Sequence, residues 1–177
     1  MLLTTRGAAL LLVDLQQRLV PALHDGDAVV ARAVRLAEAA RLLDVPICAT
    51  EQNPAGLGPV VAPLAAYPQN VVAKTAFSAT GAPGFATLLP PGTDEVVVGG
   101  CEAHVCVLQT VLGLLADGRR AVVVTDAIGS RDPANAAAAV DRMARHGAEV
   151  VTSEMVLFEW LGDAAHPRFR EVQKLLR

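Results

Sequence analysis

The sequence predicts an α/β fold: a single three-layer domain built on a six-stranded, mostly parallel, Rossmann-like sheet. Its 177 residues match the length of one domain, which usually takes about 100–200 residues. Short apolar runs alternate along the chain with segments of helical periodicity, the order that gives parallel strands with helices on both faces. Hydrophobic residues make up 53% of the chain but aromatic residues only 3%. Aliphatic side chains therefore form the core, and residues 1–177 are treated as one domain.

Six apolar runs are the predicted strands. They are continuous rather than alternating, which is typical of strands buried on both faces of a parallel sheet. The runs are Ala8–Val13, Val45–Ala49, Asn70–Ala73, Glu95–Val98, Ala121–Thr125 and Glu149–Val151.

Three helices are predicted between these runs. Asp27 is placed as the N-cap of the first, and residues His104–Ala116 form the second. Asp132 and Pro133 have the N-cap and first-position pattern of a third helix, which Gly147 closes in the left-handed conformation. We also expect Asp126 to fix the loop leading to this third helix by hydrogen bonds.

Two long irregular stretches, Glu51–Gln69 and Thr75–Thr93, are rich in proline and glycine. Loops longer than about 12–15 residues in a compact domain are usually functional. Both stretches follow the carboxyl end of a predicted strand, where open α/β sheets bind their ligands. The sequence therefore predicts a site at this edge.

Charge and apolar run lengths exclude several classes of partner. The net charge is -3 with both signs interspersed, so we expect no nucleic acid and no membrane surface as partner. No apolar run approaches the ~18 residues of a membrane span, and no signal-peptide pattern is present. These features predict a cytoplasmic protein. The three cysteines form neither a disulfide framework nor a metal-ligand spacing.

Three polar residues follow apolar strands at the predicted carboxyl edge: Asp14, Lys74 and Cys106. Each alone has an ordinary interpretation, as a turn residue, a solvated cation or a small core residue. Together they supply a base, a cation and a nucleophile. A helix N-terminus and a nearby cation lower the pKa of a thiol, and Asp14 could accept the thiol proton. The pair Gly99-Gly100 would let backbone amides approach a developing oxyanion.

The chain resembles the isochorismatase-like cysteine hydrolases over essentially its whole length. Three ordered segments carry the resemblance: Val13–Gln16, Lys74–Ala79 and Gly100–Thr110. The last segment and the tail from Asp126 through Gly162–Pro167 are most similar to the isochorismatase-domain-containing branch of the family.

The resemblance implies a role for each matched residue. Cys106 would be the nucleophile, Asp14 the general base and acid, and Lys74 the cation that orients Asp14 and favours thiolate. The family has a non-proline cis peptide before the nucleophile, here Cys101–Glu102, and the amides of Glu102 and Cys106 would form the oxyanion hole. Ala103 and His104 stand where the family often has threonine, so contacts in the pocket should differ.

No metal and no other cofactor are expected. Nicotinamidases of the same superfamily hold a divalent metal with an aspartate and several histidines in the loop after the second strand. Here that loop, residues 50–58, contains no histidine, and the four histidines of the chain are scattered. Recognition of nicotinamide is therefore not expected.

Three further residues are candidates for substrate binding. Gln52 and Phe77 directly follow strands of the predicted edge, where they could shape the pocket or simply belong to the loops. His104 could line the pocket or only form a hydrogen bond. It is not expected to act as a base on Cys106, because residues i and i+2 of a helix point to different faces.

The expected activity is cleavage of the C–N bond of a small amide, carbamoyl or ureido compound through a thioester. Two alternatives remain open: vinyl-ether hydrolysis of isochorismate-type substrates, and a catalytically inactive binding module of the same fold. The resemblance also implies a homo-oligomer, a dimer or larger, with Phe158 and Trp160 as core or interface residues. A disulfide between Cys101 and Cys106 is possible under oxidation.

Overall fold

The computed structural model describes residues 1–176 and contains the predicted six-stranded sheet. All strand pairs are parallel, in the order β3-β2-β1-β4-β5-β6. The strands are β1 (Ala8–Val13), β2 (Ile47–Gln52), β3 (Asn70–Lys74), β4 (Glu95–Cys101), β5 (Arg120–Gly129) and β6 (Glu149–Val151). The α-helices are α1 (Gly26–Leu42), α2 (Pro54–Leu57), α3 (Leu108–Ala116), α4 (Pro133–Arg145), α5 (Ser153–Leu161) and α6 (Phe169–Lys174).

The central strands are buried on both faces, as the continuous apolar runs predict. Every residue of β1 and of β4 is buried. The prediction of full burial is wrong for the edge strands: Asn70, Val71 and Ala73 of β3 are exposed, and so is Val150 of β6. A strand at the edge of a sheet has a neighbour on one side only, and an apolar run does not reveal that position.

The core forms two layers, one on each face of the sheet. Leu10 and Leu12 of β1 pack on one face with Leu36 of α1. Leu11 packs on the other face with Leu114 of α3. Successive side chains of a strand point to opposite faces, so a continuous apolar run serves both layers.

The two aromatic residues of α5 have different environments. Trp160 is 4% exposed and belongs to the core, whereas Phe158 is 43% exposed. The first is therefore a core residue, and the second is available at the surface.

The helix caps are only partly as predicted. The Asp132 side chain accepts a hydrogen bond from the amide of Ala134 (2.8 Å), and Gly147 follows α4 with a φ of +97°, which confirms both ends of that helix. The predicted cap at Asp27 is wrong: the cap residue is Asp25, at φ +52°, with no side-chain cap bond.

The predicted role of Asp126 is also wrong. This residue lies inside β5, which extends further than its apolar run. Its carboxylate accepts hydrogen bonds from the amide (2.7 Å) and the hydroxyl (2.6 Å) of Ser153. Asp126 therefore holds the start of α5, not the loop before α4.

The segment predicted as one helix over His104–Ala116 begins with a π-helical turn, Ala103–Val107, and continues as α3. The amide of Val107 donates to the carbonyl of Glu102, five residues earlier (3.2 Å). Turns of this kind occur frequently at functional sites. Cys106 lies within this turn.

The strand order places a topological switch point between β1 and β4. The chain adds β2 and β3 on one side of β1 and then returns to add β4, β5 and β6 on the other. Open α/β sheets bind ligands in the crevice at the carboxyl ends of the strands at such a point. No helix within residues 1–176 has the length and apolar character needed to cross a membrane.

Candidate active site

Asp14 and Lys74 form a buried ion pair at the switch point. Asp14 directly follows β1 and Lys74 ends β3, and the Lys74 Nζ atom lies 2.7 Å from Asp14 Oδ2. Neither side chain has any exposed surface. Charges are rarely buried to this extent unless they are paired, so the pairing predicted from the strand ends is present in the fold.

Asp14 is fixed through its backbone as well as its carboxylate. Its φ is +52°, a conformation in which the chain turns sharply after β1. Its amide donates to the carbonyl of Thr50 (3.2 Å), and its carbonyl accepts from the thiol of Cys101 (3.2 Å). The hydroxyl of Thr50 donates to Asp14 Oδ1 at 2.6 Å.

Neither the role of Thr50 nor this contact of Cys101 is predicted from the sequence. A signal for Thr50 existed: it is a polar residue in an apolar strand, and parallel pairing sets it opposite Val13, the neighbour of Asp14.

Lys74 uses all three of its N–H donors. Nζ donates to Asp14 Oδ2 (2.7 Å), to Gln52 Oε1 (2.7 Å) and to the carbonyl of Phe77 (3.0 Å). An ammonium has three donors and no acceptor. The Gln52 amide group in turn donates to the carbonyl of Thr75 (2.8 Å). Lys74 is therefore held by groups of the protein on all sides.

Cys106 completes the cluster but is not the activated thiol that was predicted. Burial, and then the nearby negative charge of Asp14, raise the pKa of the Cys106 thiol to about 12, while Lys74 acts in the opposite direction. The predicted lowering of this pKa is wrong, because Lys74 is already neutralised by Asp14 and the residue is only 5% exposed. The thiol is protonated at rest and needs a base at the moment of reaction.

The backbone that follows β4 leaves one amide free. The Cys101–Glu102 peptide is cis, as the resemblance implies. Within residues 1–176, the amide of Glu102, which lies between β4 and the π-helical turn, donates to no backbone or side-chain oxygen. Val105 and Val107 both donate to the carbonyl of Glu102.

Gly100 shows why the sequence has glycine at the end of β4. Its φ is +137°, and a Cβ atom there would lie 2.1 Å from the carbonyl oxygen of Val13. The glycine is therefore needed for the close approach of β4 to β1, and the approach of backbone amides to an oxyanion stays a prediction.

The three residues predicted to bind substrate are held by the protein in different ways. The Gln52 side chain accepts a hydrogen bond from Lys74, and the carbonyl of Phe77 accepts another, while Phe77 as a residue is 52% exposed. His104 Nδ1 lies 2.9 Å from the hydroxyl of Ser130. Their contact with substrate stays a prediction.

Glu102 forms an ion pair through its side chain, and its backbone amide is a candidate member of the oxyanion hole. Its Oε2 atom accepts from the amide (2.9 Å) and from Nε (3.0 Å) of Arg131. In the part of the chain that the structure describes, no group of three or more His, Cys, Asp and Glu residues is arranged to hold a metal ion.

Comparison with known proteins gives one consistent family. A family model described as the isochorismatase domain matches residues 8–155. Isochorismatase domain-containing protein 2 of Pongo abelii is 40% identical over 171 residues, which cover 97% of this chain and 83% of the relative.

Solved structures agree with this match. The MAR1 ribonuclease of Caenorhabditis elegans has a TM-score of 0.93 and 36% identity, covering 99% of this chain and 92% of that one. YcaC of Pseudomonas aeruginosa, solved with hexane-2,5-diol and covalent acrylamide, has a TM-score of 0.89 and 26% identity, covering 98% and 91%. YcaC of Escherichia coli, described as an octameric hydrolase of unknown specificity, has a TM-score of 0.85 and 25% identity, covering 98% and 95%. The chain therefore belongs to the isochorismatase family of hydrolases.

Proposed function

We propose that the protein is a cysteine hydrolase that cleaves the C–N bond of a small amide, carbamoyl or ureido compound. The observation that carries the proposal is the buried pair of Asp14 and Lys74 beside the thiol of Cys106. A base, a compensating cation and a nucleophile are the groups that acyl transfer through a thioester requires.

In the proposed acylation step, Asp14 takes the proton of the Cys106 thiol while the sulfur attacks the substrate carbonyl carbon. The oxygen of the tetrahedral intermediate accepts hydrogen bonds from the backbone amides of Glu102 and Cys106. Asp14 then gives its proton to the substrate nitrogen, the C–N bond breaks, and ammonia or an amine leaves. The remaining acyl group is bound to sulfur as a thioester.

Deacylation repeats this sequence with water. Asp14 takes a proton from the water molecule, whose oxygen attacks the thioester carbonyl. The C–S bond breaks, the carboxylic product leaves, and the proton returns to the sulfur. Lys74 has no donor left for the substrate, so its role is to compensate the charge of Asp14 and hold its position.

A small substrate fits both the composition and the site. Few aromatic residues are available to stack on a large planar ligand, and the reacting groups are nearly fully buried. RNA is not proposed as a substrate although a similar structure is described as a ribonuclease. The net charge is -3, and Arg131 beside the site is already paired with Glu102. Incubation with unstructured RNA should therefore give no cleavage.

The test of the proposal is an ammonia-release screen over small amides, carbamoyl and ureido compounds. Cys106→Ala should abolish turnover of any substrate found, and Cys48→Ala, which removes a thiol at the far end of β2, should keep it. Turnover retained by Cys106→Ala would refute the mechanism. Pyruvate released from isochorismate, with no ammonia from the panel, would favour the vinyl-ether alternative.

The inactive-module alternative predicts a different result with thiol reagents. If the protein only binds, Asp14→Asn should leave the rate at which Cys106 reacts with an alkylating agent unchanged, whereas the proposed mechanism predicts a slower reaction in this variant. Covalent acrylamide in YcaC of Pseudomonas aeruginosa is consistent with a reactive group in this fold, and it supports our preference for an enzyme.

We further propose that the protein forms a homo-oligomer, a dimer or larger. Val150 of β6 and Met155 and Phe158 of α5 are exposed apolar residues, and the Escherichia coli YcaC is octameric. Light scattering coupled to size-exclusion chromatography would give the number of subunits, and a monomer at micromolar concentration would refute this proposal.

A further inference from the structure

Thr50 makes two hydrogen bonds to the proposed general base. Its carbonyl accepts from the amide of Asp14 (3.2 Å), and its hydroxyl donates to Asp14 Oδ1 (2.6 Å). The residue is fully buried. Lys74 occupies the other carboxylate oxygen, so each oxygen of Asp14 has one donor, one from β2 and one from β3.

A hydroxyl that donates to a carboxylate stabilises the ionised form over the protonated one. In the proposed mechanism one proton passes between the Asp14 carboxylate and the Cys106 sulfur. Any group that favours the carboxylate therefore keeps the proton on sulfur. Thr50 is such a group, and it is uncharged.

We infer that Thr50 is a positioning residue that favours the carboxylate form of Asp14, and that it thereby adds to the preference of the proton for sulfur that burial of the Cys106 thiol already establishes. The inference rests on the proposed function, in which Asp14 is the base for Cys106. A protonated thiol reacts more slowly than a thiolate in unwanted alkylation and oxidation.

The rest of the site keeps Asp14 in place when the hydroxyl is removed. Lys74 still donates to Oδ2, and the backbone of Asp14 still bonds to Thr50 and Cys101. The ionisable groups facing Asp14 are Lys74 from β3, Cys101 from β4 and Cys106 from the π-helical turn. None of them is altered by a substitution at Thr50, so the proton balance changes while the geometry is retained.

The experiment compares Thr50→Val, which keeps the shape and loses the hydroxyl, with Thr50→Ser, which keeps the hydroxyl. The rate of alkylation by iodoacetamide at pH 7.5 is measured for each cysteine by mass spectrometry; sulfur gains the carboxamidomethyl carbon, iodide leaves, and the thiol proton goes to Asp14. Thr50→Val should raise the rate at Cys106 about tenfold, the scale of one hydrogen bond to a charged group. Thr50→Ser should stay within about twofold of the unsubstituted protein.

Cys48 serves as the internal reference, because it bonds to the carbonyl of Leu88 and not to Asp14. An unchanged or slower reaction of Cys106 in Thr50→Val would overturn the inference, as would an equal rise at Cys48 or the same rise in Thr50→Ser. Thr50→Ala replaces Thr50→Val if circular dichroism shows the latter to be unfolded.

Different results are expected if the proposed function is wrong than if only the inference about Thr50 is wrong. If Cys106 of the unsubstituted protein reacts no faster than Cys48, and Asp14→Asn does not change its rate, then Asp14 is not its base. If Asp14→Asn slows the reaction but Thr50→Val does not accelerate it, only the inference about Thr50 fails.

Discussion

Lys74→Met should strongly reduce the stability of the fold. The change removes the ammonium but keeps a side chain of similar length. It leaves the Asp14 carboxylate, Gln52 Oε1 and the carbonyl of Phe77 without their donor, and the carboxylate has no exposed surface. Breaking a buried ion pair by removing one partner costs about 3–5 kcal/mol. In a domain of this size that loss lowers Tm by about 10 °C.

Urea unfolding followed by circular dichroism measures this loss, and Lys174→Met is the matched control. Lys174 is exposed in α6, so its substitution should change stability by less than about 0.5 kcal/mol. The double variant Lys74→Met with Asp14→Asn should regain part of the loss, because no buried charge is left unpaired. A cost below about 1 kcal/mol for Lys74→Met, or a double-mutant cycle with no coupling, would refute the reasoning.

Three further predictions concern packing, pH and the amino edge of the sheet. Gly100→Ala should lower the free energy of unfolding in urea by at least about 3 kcal/mol, because the added Cβ would overlap the β1 backbone. The control is Gly118→Ala, which has open space around it and should lower the free energy of unfolding by about 1 kcal/mol. Equal losses in the two variants would contradict this prediction. Burial raises the pKa of Cys106 to about 12, and it also raises the pKa values of the Cys48 and Cys101 thiols. The unfolded chain therefore loses these protons first as pH rises above about 9. Each thiol should lower the free energy of unfolding there by up to about 1.4 kcal/mol per pH unit, so the fall should be smaller in Cys106→Ala. Arg120 donates a hydrogen bond to the buried Glu95, and burial raises the pKa of this glutamate. Arg120→Leu should therefore reduce the free energy of unfolding by about 2 kcal/mol at pH 8 and by less at pH 5, where Glu95 is more readily protonated. A loss of stability that does not depend on pH would contradict this pairing.

Local patterns were sufficient to predict the architecture. Six apolar runs with helical segments between them gave the sheet because parallel strands and their crossovers both leave short-range signals. Asp132 before Pro133 predicted the start of α4 for the same reason, since a cap is a local interaction. The proximity of Asp14 and Lys74 could be predicted because each residue lies at the carboxyl end of a strand in the same sheet.

The features that the sequence did not reveal depend on long-range packing. The pKa of Cys106 depends first on its burial and then on the nearby charges of Asp14 and Lys74, which requires three segments to be in place. The contact of Thr50 with Asp14 depends on the register of β2 against β1. The exposure of β3 depends on its position at the edge of the sheet. The π-helical turn arises from a hydrogen bond that strand and helix periodicity do not encode.

The irregular segment between β3 and β4 has a consequence for changing the specificity of this fold. Residues 80–94 make no hydrogen bond to Asp14, Lys74 or Cys106 among the described residues. Phe85 and Leu88 anchor the segment in the core. Pro83 of this segment lines a pocket together with Lys74, so we expect an exchange of the segment that keeps these two anchors to change the wall of this pocket while Asp14 and Lys74 keep their positions. Recognition and chemistry can therefore diverge separately, by directed evolution in the laboratory or by natural drift.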